Sequence, residues 1–203
     1  MRTLVRVILL TLLATAAAAS LAAQDIKPLA STTRTGFWWG IGLGAARADV
    51  TCNGCVNVDP ETFPMIDVRL GGTLSRKVTL GVQVTGGSKK GAFGDPDSVT
   101  HIVGDLNVSA YYYPQADGDF WFQGGLAGVV WQGKAGGTTL HSTAGGITVG
   151  AGYDFRFGRN ASVTPTLRAV FGGKGNIVDQ KGNSANAEFQ TTFLELGVSV
   201  LWH

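Results

Sequence analysis

Ile147-Thr148-Val149-Gly150-Ala151-Gly152-Tyr153-Asp154-Phe155-Arg156-Phe157 decides the architecture of this chain. Every odd-numbered residue in it is apolar or aromatic, and every even-numbered one is polar, charged or glycine. A helix of 3.6 residues per turn would spread both classes around its circumference, whereas a strand sends them to opposite faces. The same period of two runs through Val78, Leu80, Val82 and Val84 against Thr79, Gly81, Gln83 and Thr85. It returns in Leu194, Leu196, Val198, Val200 and Trp202 against Glu195, Gly197 and Ser199. Working outward from these three stretches gives eight strand segments, about 36–46, 63–74, 78–87, 100–113, 120–131, 144–157, 161–172 and 188–202. No amphipathic helix interrupts them.

The connections predicted between these segments alternate in length. Residues 75–77, 114–119 and 158–160 are short turns, while 47–62, 88–99, 132–143 and 173–187 read as long loops. An even number of strands of about ten residues, joined alternately by short turns and long loops, is the pattern of a transmembrane β-barrel. Closure is what makes strands possible in lipid, because every backbone N–H and C=O then finds a partner. The fold expected is therefore all-β: an eight-stranded, antiparallel, up-and-down transmembrane barrel. Aromatic residues support it independently of the strand count. Phe37, Trp39, Tyr112, Phe120, Phe122, Phe155, Phe157 and Trp202 all fall at the turn side of their strands, as an interfacial girdle would. Phe63, Phe171 and Phe189 mark the opposite rim more sparsely.

Composition agrees. Of 203 residues, 44% are hydrophobic and only 15% charged, against roughly 25% charged in soluble domains. Residues 1–23 read as an export signal: Arg2 and Arg6, then an apolar run from Val7 to Ala19, then Ser20-Leu21-Ala22 as a cleavage site. The run is too short to span a bilayer as a helix. Residues 24–35 form a periplasmic N-terminal linker, expected only to tether, and 36–203 form the barrel, with no peptidoglycan-binding domain expected after it. Without Arg2 and Arg6 the basic and acidic residues balance, which disfavours nucleic acid as a partner.

The segment 36–203 resembles the eight-stranded outer membrane β-barrel superfamily, the group of the OmpA transmembrane domain and OmpX. The last strand carries the most specific part of the likeness. Glu195, Gly197, Val200 and Trp202 are similar to the C-terminal signal read by the barrel-assembly machinery, although His203 follows the aromatic on which the family usually ends. The resemblance implies residence in the outer membrane of a Gram-negative-type bacterium, among outer membrane lipid and lipopolysaccharide. It leaves the role open, since such barrels include structural proteins, adhesins, narrow pores and lipid-modifying enzymes.

With the apolar face turned to lipid, Asp67, Arg69, Asp105, Asp154, Arg156, Arg168 and Glu195 point into a lumen just wide enough for side chains. Such charges must pair, so a network plugging the lumen is expected, with inward glycines such as Gly42, Gly81, Gly125, Gly150 and Gly152 leaving room for the arginines. Cys52 and Cys55, bracketing Asn53-Gly54, are expected to form a local disulfide in the first outer loop, since the export route is oxidising. No spacing suggests a metal site or a cofactor. His141-Ser142 invites a hydrolase reading, but adjacent residues of a strand face opposite ways and no G-x-S-x-G elbow is present. His101 and His141 are expected to be solvated, and so are Lys89, Lys90, Lys134, Lys174 and Lys181 in or beside the outer loops, with contact to phosphates of lipopolysaccharide as the functional alternative. The expected function is a non-enzymatic barrel with a membrane-structural or surface-interaction role, its loops meeting an extracellular partner. The alternatives are a narrow ion or small-solute channel and a lipid A-modifying enzyme.

Overall fold

A computed structural model describes residues 34–53, 59–157 and 160–203. The strands are β1 (Phe37–Asn53), β2 (Glu61–Ser75), β3 (Val78–Lys90), β4 (Thr100–Tyr112), β5 (Phe120–Ala135), β6 (Thr138–Tyr153, resuming over Phe155–Arg156), β7 (Ala161–Asp179) and β8 (Ser184–Trp202). Each pairs antiparallel with the next. β8 also pairs with β1, from Trp39↔Trp202 to Asn53↔Glu188, so the sheet is a closed eight-stranded barrel without a free edge. The break in β6 falls at Asp154, whose N–H reaches the carbonyl of Asp119, the residue just before the neighbouring β5, at 2.9 Å.

The apolar face is outside. Leu43, Leu126, Leu196, Ile147 and Val198 are all exposed, whereas Arg168, Gln83, Asn107 and Thr164 are fully buried. Leu126 keeps 73% of its surface accessible. Each large apolar side chain left in water forgoes about 1.5–3 kcal/mol of burial, so so many on one face require lipid against them. A soluble barrel holding its ligand in an apolar interior would show the reverse polarity. The whole predicted girdle faces outward near one end: Phe37, Trp39, Tyr112, Phe120, Phe122, Phe155 and Phe157 are exposed and Trp202 is partly so. Trp39 and Trp202 stack across the β1–β8 seam, 4.3 Å apart with their planes 15° from parallel.

Strands are longer than the alternation indicated. They hold 13 to 19 residues, against the 9–11 that suffice to cross a bilayer, and the excess lies at the end away from the girdle. The predicted long loop 132–143 is therefore replaced by ladder: β5 and β6 pair as far as Ala135↔Thr138. Only Gly136 and Gly137 turn the chain, with φ of 52° and 85°, the left-handed pair that a two-residue hairpin requires. The loops predicted at 47–62 and 173–187 shrink in the same way. The physical reason is that the contrast between faces disappears once the outer face also meets water, while backbone pairing continues.

Candidate functional site

Chemistry-bearing side chains converge in the lumen, which is filled in three layers. At the centre lies the charged layer. The Arg168 guanidinium donates to both Asp105 oxygens at 2.8 and 2.9 Å, to Thr85 Oγ1 at 2.8 Å, and to Glu195. Strand register puts Glu195 directly opposite Arg168 and Asp105 opposite Thr85, so the group is set by pairing before any side chain chooses a rotamer. Arg69 donates to Asp67 Oδ1 at 2.8 Å and to Ser199 Oγ at 2.7 Å. Gln83, Gln123 and Asn107 bridge the two ion groups, from Asp67 round to Asp105. The bidentate fork on Asp105 is the geometry in which a desolvated arginine recovers most from its partner.

The inner layer, at the girdle end, is aromatic: Trp38, Tyr111, Tyr113 and Trp121 are buried together. Tyr111 meets the Trp38 and Trp121 rings edge to face at 5.4 and 5.2 Å. Beneath them Asp154 accepts from Trp121 Nε1 at 3.0 Å, Tyr113 Oη at 3.1 Å and Thr164 Oγ1 at 2.9 Å. Arg34 closes the mouth, its guanidinium 3.5 Å from the Tyr113 ring centre. It donates to the Gly118 carbonyl at 2.5 Å and lies 3.6–3.7 Å from Asp119 and Asp154. Between this layer and Arg69 remains a cavity of about 10 Å³, room for one water. His203 borders that cavity, and burial holds its imidazole below the usual range.

The outer layer is apolar. Phe63, Met65, Val103, Val129, Val170 and Phe193 are among its buried members. Ala92 and Phe93 join them from the segment between β3 and β4, which folds back over the opening.

Several sequence expectations change here. Asp154 and Arg156 stand apart from the central network: Asp154 belongs to the inner layer, and Arg156 is half-buried at the rim, 2.8 Å from Asp119. Asp67, Arg69, Asp105, Arg168 and Glu195 are brought together. Phe63 and Phe189 are buried in the lumen rather than marking an outer rim, and only Phe171 of that trio is exposed. Room made by glycine serves aromatic rings more than arginines: a Cβ at Gly81 would stand 2.7 Å from the Trp38 ring, and one at Gly152 would collide with Trp121. Gly42 gives way to the Asp67 carboxylate and Ser199. His101 is buried rather than solvated, with Nε2 3.0 Å from Asp95. Ser142 is buried and His141 is not, so the adjacent pair does face opposite ways. Arg34 makes the linker more than a tether. Of the proposed disulfide, only the Cys52 backbone is described and Cys55 lies outside the described residues, as do the export signal and residues 24–33.

Sequence reasoning missed the inward aromatics, although a signal was present. In Trp38-Trp39, Tyr111-Tyr112 and Phe120-Trp121-Phe122 the alternation forces one neighbour inside whenever the other faces lipid.

Comparison with known proteins bears on the same region. The family described as the outer membrane protein beta-barrel domain matches residues 9–201. Among solved structures, Neisserial surface protein A is 14% identical, covering 81% of this chain and 96% of its own, with a TM-score of 0.59. OprG from Pseudomonas aeruginosa is 13% identical over 85% of this chain and 99% of its own, TM-score 0.53. AlkL, determined in lipid bilayers, is 13% identical over 88% and 96%, TM-score 0.54. At such identities the likeness is one of fold. No curated protein matches the chain significantly.

Proposed function

This chain belongs to the outer membrane protein β-barrel domain family, and from that premise we propose that it is a non-catalytic, non-conducting barrel with a membrane-structural or surface-interaction role. The observation that carries this reading is the filled lumen. A solute crossing it would have to displace Phe93, then part the Arg168–Asp105–Glu195 group, then lift Arg34 from Tyr113. Each buried ion pair broken in that sequence leaves an uncompensated charge, at about 3–5 kcal/mol. Lipid and lipopolysaccharide are its surroundings, and the outer tips, among them 91–99, 136–137 and 180–183, are where an extracellular partner would be met. Lys89 and Lys174 are engaged by Glu61 and Glu188, so phosphate contact falls to other cations of that end, such as Lys134.

The test joins two measurements on the full chain. A faster-migrating unboiled band from the outer membrane fraction, reverting on boiling, reports a closed barrel. The same preparation in a planar bilayer should then give no conductance steps. Steps that shrink when Arg69 or Arg168 is neutralised would instead establish the channel reading. Altered lipid A in expressing cells, lost with His141→Ala, would establish the enzyme.

A further inference from the structure

The outer layer of the lumen differs from the rest in being closed by a segment that does not fit comfortably. Phe93 is the one non-glycine among the described residues with a left-handed backbone, φ 60°, a region that L side chains avoid. Its ring sits 5.6 Å from Phe63 and 5.3 Å, edge to face, from His101. Around it Met65, Val103, Val129 and Trp131 complete an apolar lining at the water-facing end of a barrel whose next layer down is charged. Three buried polar atoms of this lining lack hydrogen-bond partners in the protein: Trp131 Nε1 and both nitrogens of His101, whose Nε2 stands 3.0 Å from the Asp95 carboxylate without hydrogen-bond geometry. Buried polar groups are nearly always satisfied, and a phenyl ring offers these no more than a weak contact with its face.

We propose that the outer half of the lumen is a binding chamber for a small monocyclic aromatic molecule bearing one hydroxyl or carbonyl group, and that Phe93 occupies it as a built-in competitor. The ring of such a ligand would take the place of the Phe93 ring against Phe63, and its polar group would meet Trp131 Nε1 or His101. The segment 91–99 is the lid. It is held at two points: its base is closed by the Gly91 N–H on the Val99 carbonyl at 3.0 Å, and Asp95 lies 3.0 Å from His101 Nε2. Withdrawal of Asp95 uncovers His101 Nε2 for the ligand. A chamber whose open state is only fractionally populated binds with its affinity lowered by that fraction, so loosening the lid must tighten binding without any change to the lining.

The experiment titrates 4-bromophenol, whose bromine quenches tryptophan, into the folded full chain in detergent, with the heat-shift gel confirming that each variant is a closed barrel. The saturable quenching expected in wild type should vanish in Trp131→Phe, which separates it from partitioning near Trp39 and Trp202. Asp95→Ala should raise the apparent affinity about two- to fivefold, the shift expected from losing one half-exposed pair. Phe93→Gly, which removes the competitor and suits the left-handed backbone, should bind at least as tightly as Asp95→Ala. Bromobenzene should bind several-fold more weakly than bromophenol. Quenching confined to Phe93→Gly would reveal a hole made by truncation and overturn the proposal. So would an affinity indifferent to Asp95→Ala, or quenching that survives Trp131→Phe. Equal binding of bromobenzene would remove Trp131 and His101 from ligand recognition and overturn the assignment of a polar group.

Discussion

Replacing Arg168 by methionine tests whether the barrel depends on charge compensation at its centre. The side chain is fully buried, forks onto Asp105, and is the one cation that the hydrogen bonds of the described residues give to Glu195. Methionine has similar length but leaves two carboxylates facing each other in the interior. Among the described residues Asp105 keeps only the Asn107 amide at 2.7 Å. Breaking a buried pair from one side costs about 3–5 kcal/mol, so Arg168→Met should lower folding stability by that amount. Urea titration in lipid vesicles, read by the heat shift on gels, measures it. Neutralising the orphans should restore most of the loss: Arg168→Met with Glu195→Gln recovers part, and adding Asp105→Asn recovers more, because a neutral set of similar volume can match a buried ion group. A loss below about 1 kcal/mol for the single variant, or a triple variant no better than the single, would refute the reasoning, for it would mean that water already solvates these carboxylates.

Three further outcomes are expected. Gly152→Ala should destabilise by about 1–3 kcal/mol through overpacking against Trp121, while Gly124→Ala, where a Cβ meets nothing within 4 Å, should be nearly neutral; parallel urea titrations of the two make the comparison. Arg34→Ala removes the contact over Tyr113 and the bond to the Gly118 carbonyl. Limited proteolysis of folded barrels should show faster cleavage near that residue, with a stability loss of about 1–2 kcal/mol. Finally, the Lys89 ammonium holds the Glu61 carboxyl below its usual range. That contribution is present at neutral pH and fades as pH falls below the ordinary glutamate value of about 4.3. Being half-exposed, the pair is worth under about 1 kcal/mol, and Glu61→Gln should flatten this acid limb in a pH series of urea midpoints.

How much of this was legible in the sequence varies with the surroundings of each residue. Where lipid lies on one side and the lumen on the other, as from Ile147 to Tyr153, alternation gives strand, face and closure together. Above the bilayer it loses its contrast, so Thr138–Leu140 and Gly173–Val178 read as loop although they are strand. The members of the charged layer could be named from parity alone, because Asp67, Arg69, Asp105, Arg168 and Glu195 occupy inward positions. Their partners could not, since pairing across the lumen depends on register between distant strands. The depth of each inward residue was equally hidden: nothing local distinguishes Asp154, at the mouth, from Asp105, at the centre. Arg34 and Phe93 act from outside any strand, where periodicity is silent.

The extension of β5 and β6 to a two-residue tip at Gly136-Gly137 changes what the outside world touches. A loop of a dozen residues would have to be immobilised by whatever grips it, at about 1–2 kcal/mol for each backbone residue fixed. A hairpin is already ordered, so a partner would gain affinity from contacts with little ordering loss. It is also less forgiving. Inserting one residue within the ladder would turn every side chain beyond it to the other face, so variation at this hairpin should concentrate in its tip and in single exchanges along its flanks.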